Sequence, residues 1–160
     1  MLSLRLKTVA ALVPFGARVC DIGTDHARLP IYLIQSGIAK SVIAADLREK
    51  PLEKARENIR LAGVLGIDTR LCNGFDGIGA EEFDAAVIAG IGGEVISGII
   101  DRADILKNAD KLLILQPTTS PEILRRFLCE NGFMAEKEIP VFENGKLYSN
   151  AAKRIIISAA

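Results

Sequence analysis

A chain of 160 residues with Lys+Arg 20 against Asp+Glu 20 carries no formal net charge, and 49% of it is hydrophobic. That length suits one domain, 1–160, able to bury roughly 70% of the extended chain's surface without a covalent or metal staple, and a mean hydropathy of +0.27 excludes disorder. No stretch approaches the ~20 uninterrupted apolar residues of a membrane helix, and Arg5 and Lys7 interrupt the apolar N-terminus, so no membrane partner and a cytoplasmic location are expected.

The three cysteines, Cys20, Cys72 and Cys129, are odd in number, form no C-x-x-C and sit in apolar runs, which reads as buried, reduced thiols. With His26 the only histidine, no metal site is expected. Charge is unevenly spread, +4 over residues 1–60, −6 over 61–110 and +2 over 111–160. Only the first third has the basic excess that a protein holding a polyanion by itself shows.

In chain order, Leu2, Leu6, Val9 and Val13 recur at helical spacing before Pro14, and Arg18–Ile22 follows as a short buried strand. That strand runs into Gly23-Thr24-Asp25-His26-Ala27, a turn onto a helix marked by Pro30. Of the three glycines of G-x-G-x-x-G only Gly23 is present, Asp25 and Arg28 standing at the other two places. A carboxylate at a helix N-terminus opposes a pyrophosphate. Asp21 and Asp25 instead suit a phosphate-free, positively charged adenosine compound, S-adenosylmethionine, unless the turn is a plain strand-to-helix connection. His26, at the start of that helix, is either a catalytic or substrate contact or a structural hydrogen-bonding group.

The second strand, Ser41–Asp46, ends in a carboxylate about 20 residues beyond the glycine turn, the place from which an acid accepts ribose hydroxyls; its other reading is a cap for the helix at Pro51. Leu52, Ala55, Ile59 and Ala62 form that helix's apolar stripe. The third strand, Thr69–Cys72, leads to Asn73-Gly74, either an adenine contact or a common turn. The fourth, Asp84–Ile88, opens into Ala89-Gly90-Ile91-Gly92-Gly93, whose glycines let a flat substrate approach the backbone, since no core requirement explains the run. A helix over Gly93–Asn108 precedes the fifth strand, Lys111–Gln116, which closes on Gln116-Pro117-Thr118-Thr119. The Gln116 amide is placed either to orient a base or to satisfy a strand-end backbone group. Pro121–Asn131 is helical with an Asn131-Gly132 stop, and Phe133–Val141 and Leu147–Ile157 form a hairpin across Glu143–Lys146. The whole predicts an α/β, Rossmann-like, doubly wound, mostly parallel seven-stranded sheet ending in an antiparallel hairpin, with helices on both faces. With no exposed apolar stripe evident, a monomer is expected.

The run Asp21-Ile22-Gly23-Thr24-Asp25-His26-Ala27-x-Leu29-Pro30, with Ile88-Ala89-Gly90-Ile91-Gly92-Gly93 and Leu115-Gln116-Pro117, resembles the bacterial tRNA (adenine-22 N1)-methyltransferase family, class I S-adenosylmethionine-dependent enzymes. Leu2-Ser3-x-Arg5-Leu6 and Glu143-Asn144-Gly145-Lys146-Leu147-Tyr148 are similar to that family as well. The resemblance implies S-adenosylmethionine as cofactor and tRNA as substrate. Asp21, Gly23, Thr24 and Asp25 would line its methionine end, Asp46 and Leu47 the ribose, Asn73 and Gly74 the adenine, and Ala89, Gly90 and Ile91 both cofactor and base. For such a reaction the candidate catalytic residues are Asp25, to stabilise developing positive charge, and His26 and Gln116, to orient the base, with Arg28, Gly92, Gly93 and Pro117 on the substrate side. Arg28 stands where the family typically has Tyr, Asn73 where it often has Asp, Ile91 where it has Met, and Thr118 where it often has Asn. Family members usually continue into a C-terminal helical hairpin thought to help hold tRNA, and this sequence is expected to lack it. A small-molecule methyltransferase and a non-catalytic S-adenosylmethionine- or RNA-binding module are the alternatives.

Overall fold

Val19 and Cys20, Val42 and Ile43, Ala85 through Ile88, and Leu112 through Leu115 are all buried, so four stretches of the chain have no solvent-facing side. Strands of this kind need a covering layer on each face, which is the signature of a parallel α/β sheet. The computed structural model, which describes residues 1–107 and 110–155, has that arrangement. Its elements in chain order are α1 (Leu4–Ala11), β1 (Ala17–Ile22), α2 (Arg28–Gln35), β2 (Ala39–Asp46), α3 (Glu49–Ala62), β3 (Ile67–Leu71), β4 (Ala85–Ile91), α4 (Gly93–Asp101), β5 (Leu112–Pro117), α5 (Pro121–Glu130), β6 (Phe133–Glu143) and β7 (Lys146–Ile155). The sheet order is β3-β2-β1-β4-β5-β7-β6, with β7 antiparallel to both its neighbours and the other pairings parallel.

Period-two alternation divides the strand residues between two cores. Val19, Val42, Val87 and Ile114 join Val9 of α1 and Leu29 and Leu33 of α2 on one face. Cys20, Ile43, Ile88 and Leu115 join Ile96 and Ile100 of α4 and Leu124 and Leu128 of α5 on the other. Fully burying one such aliphatic side chain is worth roughly 1.5–3 kcal/mol. A smaller cluster, Ala27 with Leu52 and Ala55, seats α3. At the outer edge β6 exposes Glu136, Lys137 and Glu138 and carries Pro140, features that discourage pairing with another sheet.

Three expectations need correction. The apolar pattern after Gly93 does not make one helix to Asn108: α4 ends at Asp101, a 3₁₀ turn at Asp104–Lys107 buries Leu106, and Asn108 lies outside the described residues. Of the cysteines only Cys20 is buried; Cys72 is half-buried, and Cys129, on the outer side of α5, is exposed. An exposed apolar pair also exists, Phe142 opposite Leu147 at the hairpin tip. The last two residues expected in the final strand, Ile156 and Ile157, fall outside the described residues. Among those described, no helix is long and apolar enough to cross a membrane.

Candidate functional site

The chain winds outward from β1 through β2 to β3 and then returns to start the other half at β4, so strand order reverses between β1 and β4. Loops at the carboxyl ends of strands diverge at such a point and leave a crevice. A cleft of about 950 Å³ occupies it, at the upper end of the roughly 300–1,000 Å³ range of small-molecule sites.

The β1–α2 loop forms one wall in a conformation the backbone resists. Gly23, Asp25 and Ala27 have φ of 76°, 56° and 56°, each left-handed, and for a residue with a Cβ that costs roughly 1–2 kcal/mol. Surrounding bonds hold it. The N–H groups of Gly23 and Thr24 both donate to the Ala45 carbonyl at 2.9 Å, Asn58 Nδ2 donates to the His26 carbonyl at 2.9 Å, and Asp25 N–H donates to Asp46 Oδ2 at 3.2 Å. Strained backbone fixed in this way is typical of binding loops. His26 therefore sits within the turn and precedes α2, which starts at Arg28, a correction to the helix-start position expected for it. Its Nε2 is 3.7 Å from Asp25 Oδ1.

Of the four acidic side chains that line the cleft, Asp21, Asp25, Asp46 and Glu94, the three aspartates gather at the ends of β1 and β2. Asp21 is 4% exposed, and burial pushes its carboxyl up to about 7, the nearby Thr24 hydroxyl offsetting part of the rise and the Asp46 carboxylate adding to it. Asp46, 5% exposed, is aimed by two backbone donors, Asp25 N–H and Arg48 N–H, the latter at 3.0 Å. It turns the chain after β2 without capping α3, whose N-cap is Arg48. Thr24 Oγ1 is buried beside the Asp21 carboxyl, and no other hydrogen-bond partner for it stands among the described residues. Asn73 and Gly74 close the β3 end, where Arg102 Nη2 donates to Asn73 Oδ1 at 3.3 Å. Leu47, Arg28, Ala89, Gly90 and Ile91 complete the walls expected from the sequence.

Four expected residues lie off these walls. Gln116 is wholly buried and its amide is spent on the protein: Oε1 accepts from Gly90 N–H at 3.0 Å and from Arg5 Nη1, while Nε2 donates to the Pro117 carbonyl at 2.9 Å. It has the strand-end role and is not placed to bond a base. Pro117 is likewise buried beneath the site. Gly93 has a packing reason after all, since a Cβ there would stand 2.3 Å from the Ser120 carbonyl oxygen, and its N–H donates to the Thr119 carbonyl at 2.8 Å. At Gly92 a Cβ would meet Thr119 Oγ1 at 2.8 Å. The close approach of α4 to the turn before α5 therefore requires glycine at position 93, whereas at position 92 the neighbour is a side-chain hydroxyl that can turn aside.

Other cleft walls were not anticipated. Arg5 and Leu6 of α1 reach it, as does one face of α4 through Glu94, Val95, Gly98, Ile99 and Arg102. The α4 residues recur at helical spacing directly after the glycine run, a pattern that marks the helix face turned toward the crevice.

Comparison with known proteins agrees with this geometry. Residues 2–150 match the family model described as a methyltransferase domain. The chain is 34% identical over 148 residues to the tRNA (adenine(22)-N(1))-methyltransferase of Bacillus subtilis, covering 92% of this chain but 62% of that protein, so it spans less than two thirds of that relative's length. The crystal structure of the B. subtilis M1A22 tRNA methyltransferase TrmK superposes with a TM-score of 0.91 at 34% identity, over 97% of this chain and 67% of that one. Streptococcus pneumoniae Sp1610, a putative tRNA (m1A22) methyltransferase solved in complex with S-adenosyl-L-methionine, gives 0.90 at 36% identity over 99% and 77%. With the switch-point cleft, its carboxylates and this breadth of similarity, the chain belongs to the methyltransferase-domain family, in the branch that holds the tRNA (adenine(22)-N(1))-methyltransferases.

Proposed function

We propose that this protein is an S-adenosylmethionine-dependent methyltransferase that modifies N1 of an adenine in tRNA. The observation that carries the reading is the set Asp21, Asp25 and Asp46 at the ends of β1 and β2: Arg48 Nε, 3.6 Å from Asp46 Oδ1, offsets one carboxylate, and the buried Asp21 with Asp25 in the turn before α2 favours a cationic, phosphate-free cofactor over one with a pyrophosphate. Asp21 fits that cofactor, being buried with no cation paired to it among the described residues, and the Thr24 hydroxyl beside it has no further partner there.

When bound, S-adenosylmethionine supplies a methyl group on positively charged sulfur. Asp21 would meet the ammonium as a carboxylate, Asp46 would accept from the ribose hydroxyls on lone pairs its backbone donors leave free, and Asn73 with Gly74 would border the adenine. Ala89, Gly90 and Ile91 would separate cofactor from target. Adenine N1 already carries a lone pair, so the chain has no proton to remove and its work is alignment, with Asp25 opposing the positive charge that develops on the base. Because N1 is engaged in stacking or pairing within folded RNA, the base must swing out to reach the cleft. The tRNA relatives named above support this substrate.

Incubation of the protein with S-adenosylmethionine and unmodified tRNA, followed by mass spectrometry of the nucleosides, tests it. 1-Methyladenosine is expected. Methylation of another nucleoside, or of none, overturns the reading.

A further inference from the structure

Arg5 lines the cleft on the β4–β5 side, away from the ends of β1 and β2 where Asp21, Asp25 and Asp46 gather. It leaves α1 and crosses the carboxyl ends of β4 and β5, where Nη1 comes to within 3.6 Å of the point a Cβ on Gly90 would occupy. Restraints from several elements hold it: Nη1 donates to Gln116 Oε1, Nε lies 3.7 Å from Glu143 Oε2, and the guanidinium carbon stands 5.5 Å from the Tyr148 ring centroid. Its side chain is only 20% exposed, and it lines the cleft. Such tethering, by a fully buried amide on one side and a carboxylate on another, exceeds what a surface arginine needs to stay solvated.

The pairing with Glu143 balances the guanidinium charge, so what Arg5 presents is a flat face and N–H donors more than net charge. Splayed bases in RNA recognition stack on guanidinium planes as they do on aromatic rings. Gly90, which has no side chain, lies beside Nη1 and crowds the guanidinium less than any other residue would. The geometry points to Arg5 as the residue that receives the target base, its plane against the ring and Tyr148 behind it, with Gln116 as the positioning residue beneath. This rests on the methyltransferase reading above and adds the group that grips the substrate.

The alternative is a staple that only fastens α1 to the hairpin. Steady-state methylation of unmodified tRNA by wild type, Arg5→Ala and Arg5→Lys, with calorimetric titration of the same preparations by S-adenosylhomocysteine, separates the two. Expected are S-adenosylhomocysteine affinities within twofold of wild type for both variants, and kcat/KM for tRNA at least 30-fold lower in Arg5→Ala with most of the loss in KM. Arg5→Lys, which keeps the ion pair with Glu143 but not the plane, recovers no more than a few-fold. Unchanged kcat/KM in Arg5→Ala, full recovery in Arg5→Lys, or loss of cofactor affinity in step with activity overturns the proposal. Wild type that binds S-adenosylhomocysteine yet methylates no RNA removes the underlying reading and the proposal with it, whereas an active wild type with an equally active Arg5→Ala removes the proposal alone.

Discussion

Replacing Asp21 by Asn stabilises the protein and disables it. The side chain is 4% exposed and its carboxyl is raised from 3.8 to about 7, burial being the main cause. Between those values the folded chain binds a proton that the unfolded chain has released, so stability falls as pH rises through the window and the penalty is complete above pH 7. At about 1.4 kcal/mol per tenfold change in proton affinity, the carboxylate costs about 4 kcal/mol at pH 8 and under about 2 kcal/mol at pH 5. Asn has nearly the same shape and no charge to desolvate. For a chain of this size, where each kcal/mol moves Tm by roughly 2–4 °C, Asp21→Asn raises Tm on the order of 10 °C at pH 8 and much less at pH 5. Circular dichroism melts at the two pH values measure this. Calorimetry with S-adenosylhomocysteine at pH 8 shows a loss of affinity of about 100-fold or more, because a buried ion pair broken on one side leaves the other charge uncompensated. A Tm difference that does not depend on pH, or a variant no more stable than wild type at pH 8, refutes the argument from burial.

Other expectations follow from the same structure. Asp46→Ala, which removes an acceptor aimed by two backbone N–H groups, weakens S-adenosylhomocysteine binding at least tenfold by calorimetry, and unchanged affinity contradicts the ribose role. Gly93→Ala forces a methyl group against the Ser120 carbonyl and lowers stability by about 2 kcal/mol in urea unfolding, in the range of overpacking; a neutral result shows that the α4–α5 contact yields. Lys111, 8% exposed, donates to the Ala80 and Phe83 carbonyls and lies 4.9 Å from the Phe83 ring centroid. Lys111→Met strands those acceptors and costs about 2–3 kcal/mol in the same assay, whereas a cost under about 0.5 kcal/mol contradicts the inferred role of these bonds.

The strands were legible because residues buried on both faces leave an apolar run that no surface helix tolerates, as in Leu112–Leu115. Asn131-Gly132 was legible as a stop because Gly132 does take a left-handed φ of 77°. The aspartate-lined side of the cleft was equally open to reading, since residues at the carboxyl ends of β1, β2 and β3 face the crevice by topology. The other side depends on contacts far apart in the chain. Arg5 reaches Gly90 only because α1 packs on the hairpin 138 residues away, through bonds such as Arg5 N–H to Glu143 Oε1 at 3.4 Å. Gln116 looked like a base reader because its type and position suit one, and only the folded packing shows both ends of the amide already occupied. The break after α4 was hidden because Ile105 and Leu106 continue the apolar spacing while Leu106 is buried from a 3₁₀ turn.

A crystal of the protein grown or soaked with S-adenosylhomocysteine tests the central claim most directly. The account predicts density in the switch-point cleft with the amino group beside Asp21, the ribose hydroxyls on Asp46 and the adenine near Asn73, leaving the space before Arg5 open. An empty cleft at saturating ligand, or one that takes a pyrophosphate-bearing nucleotide in its place, contradicts it.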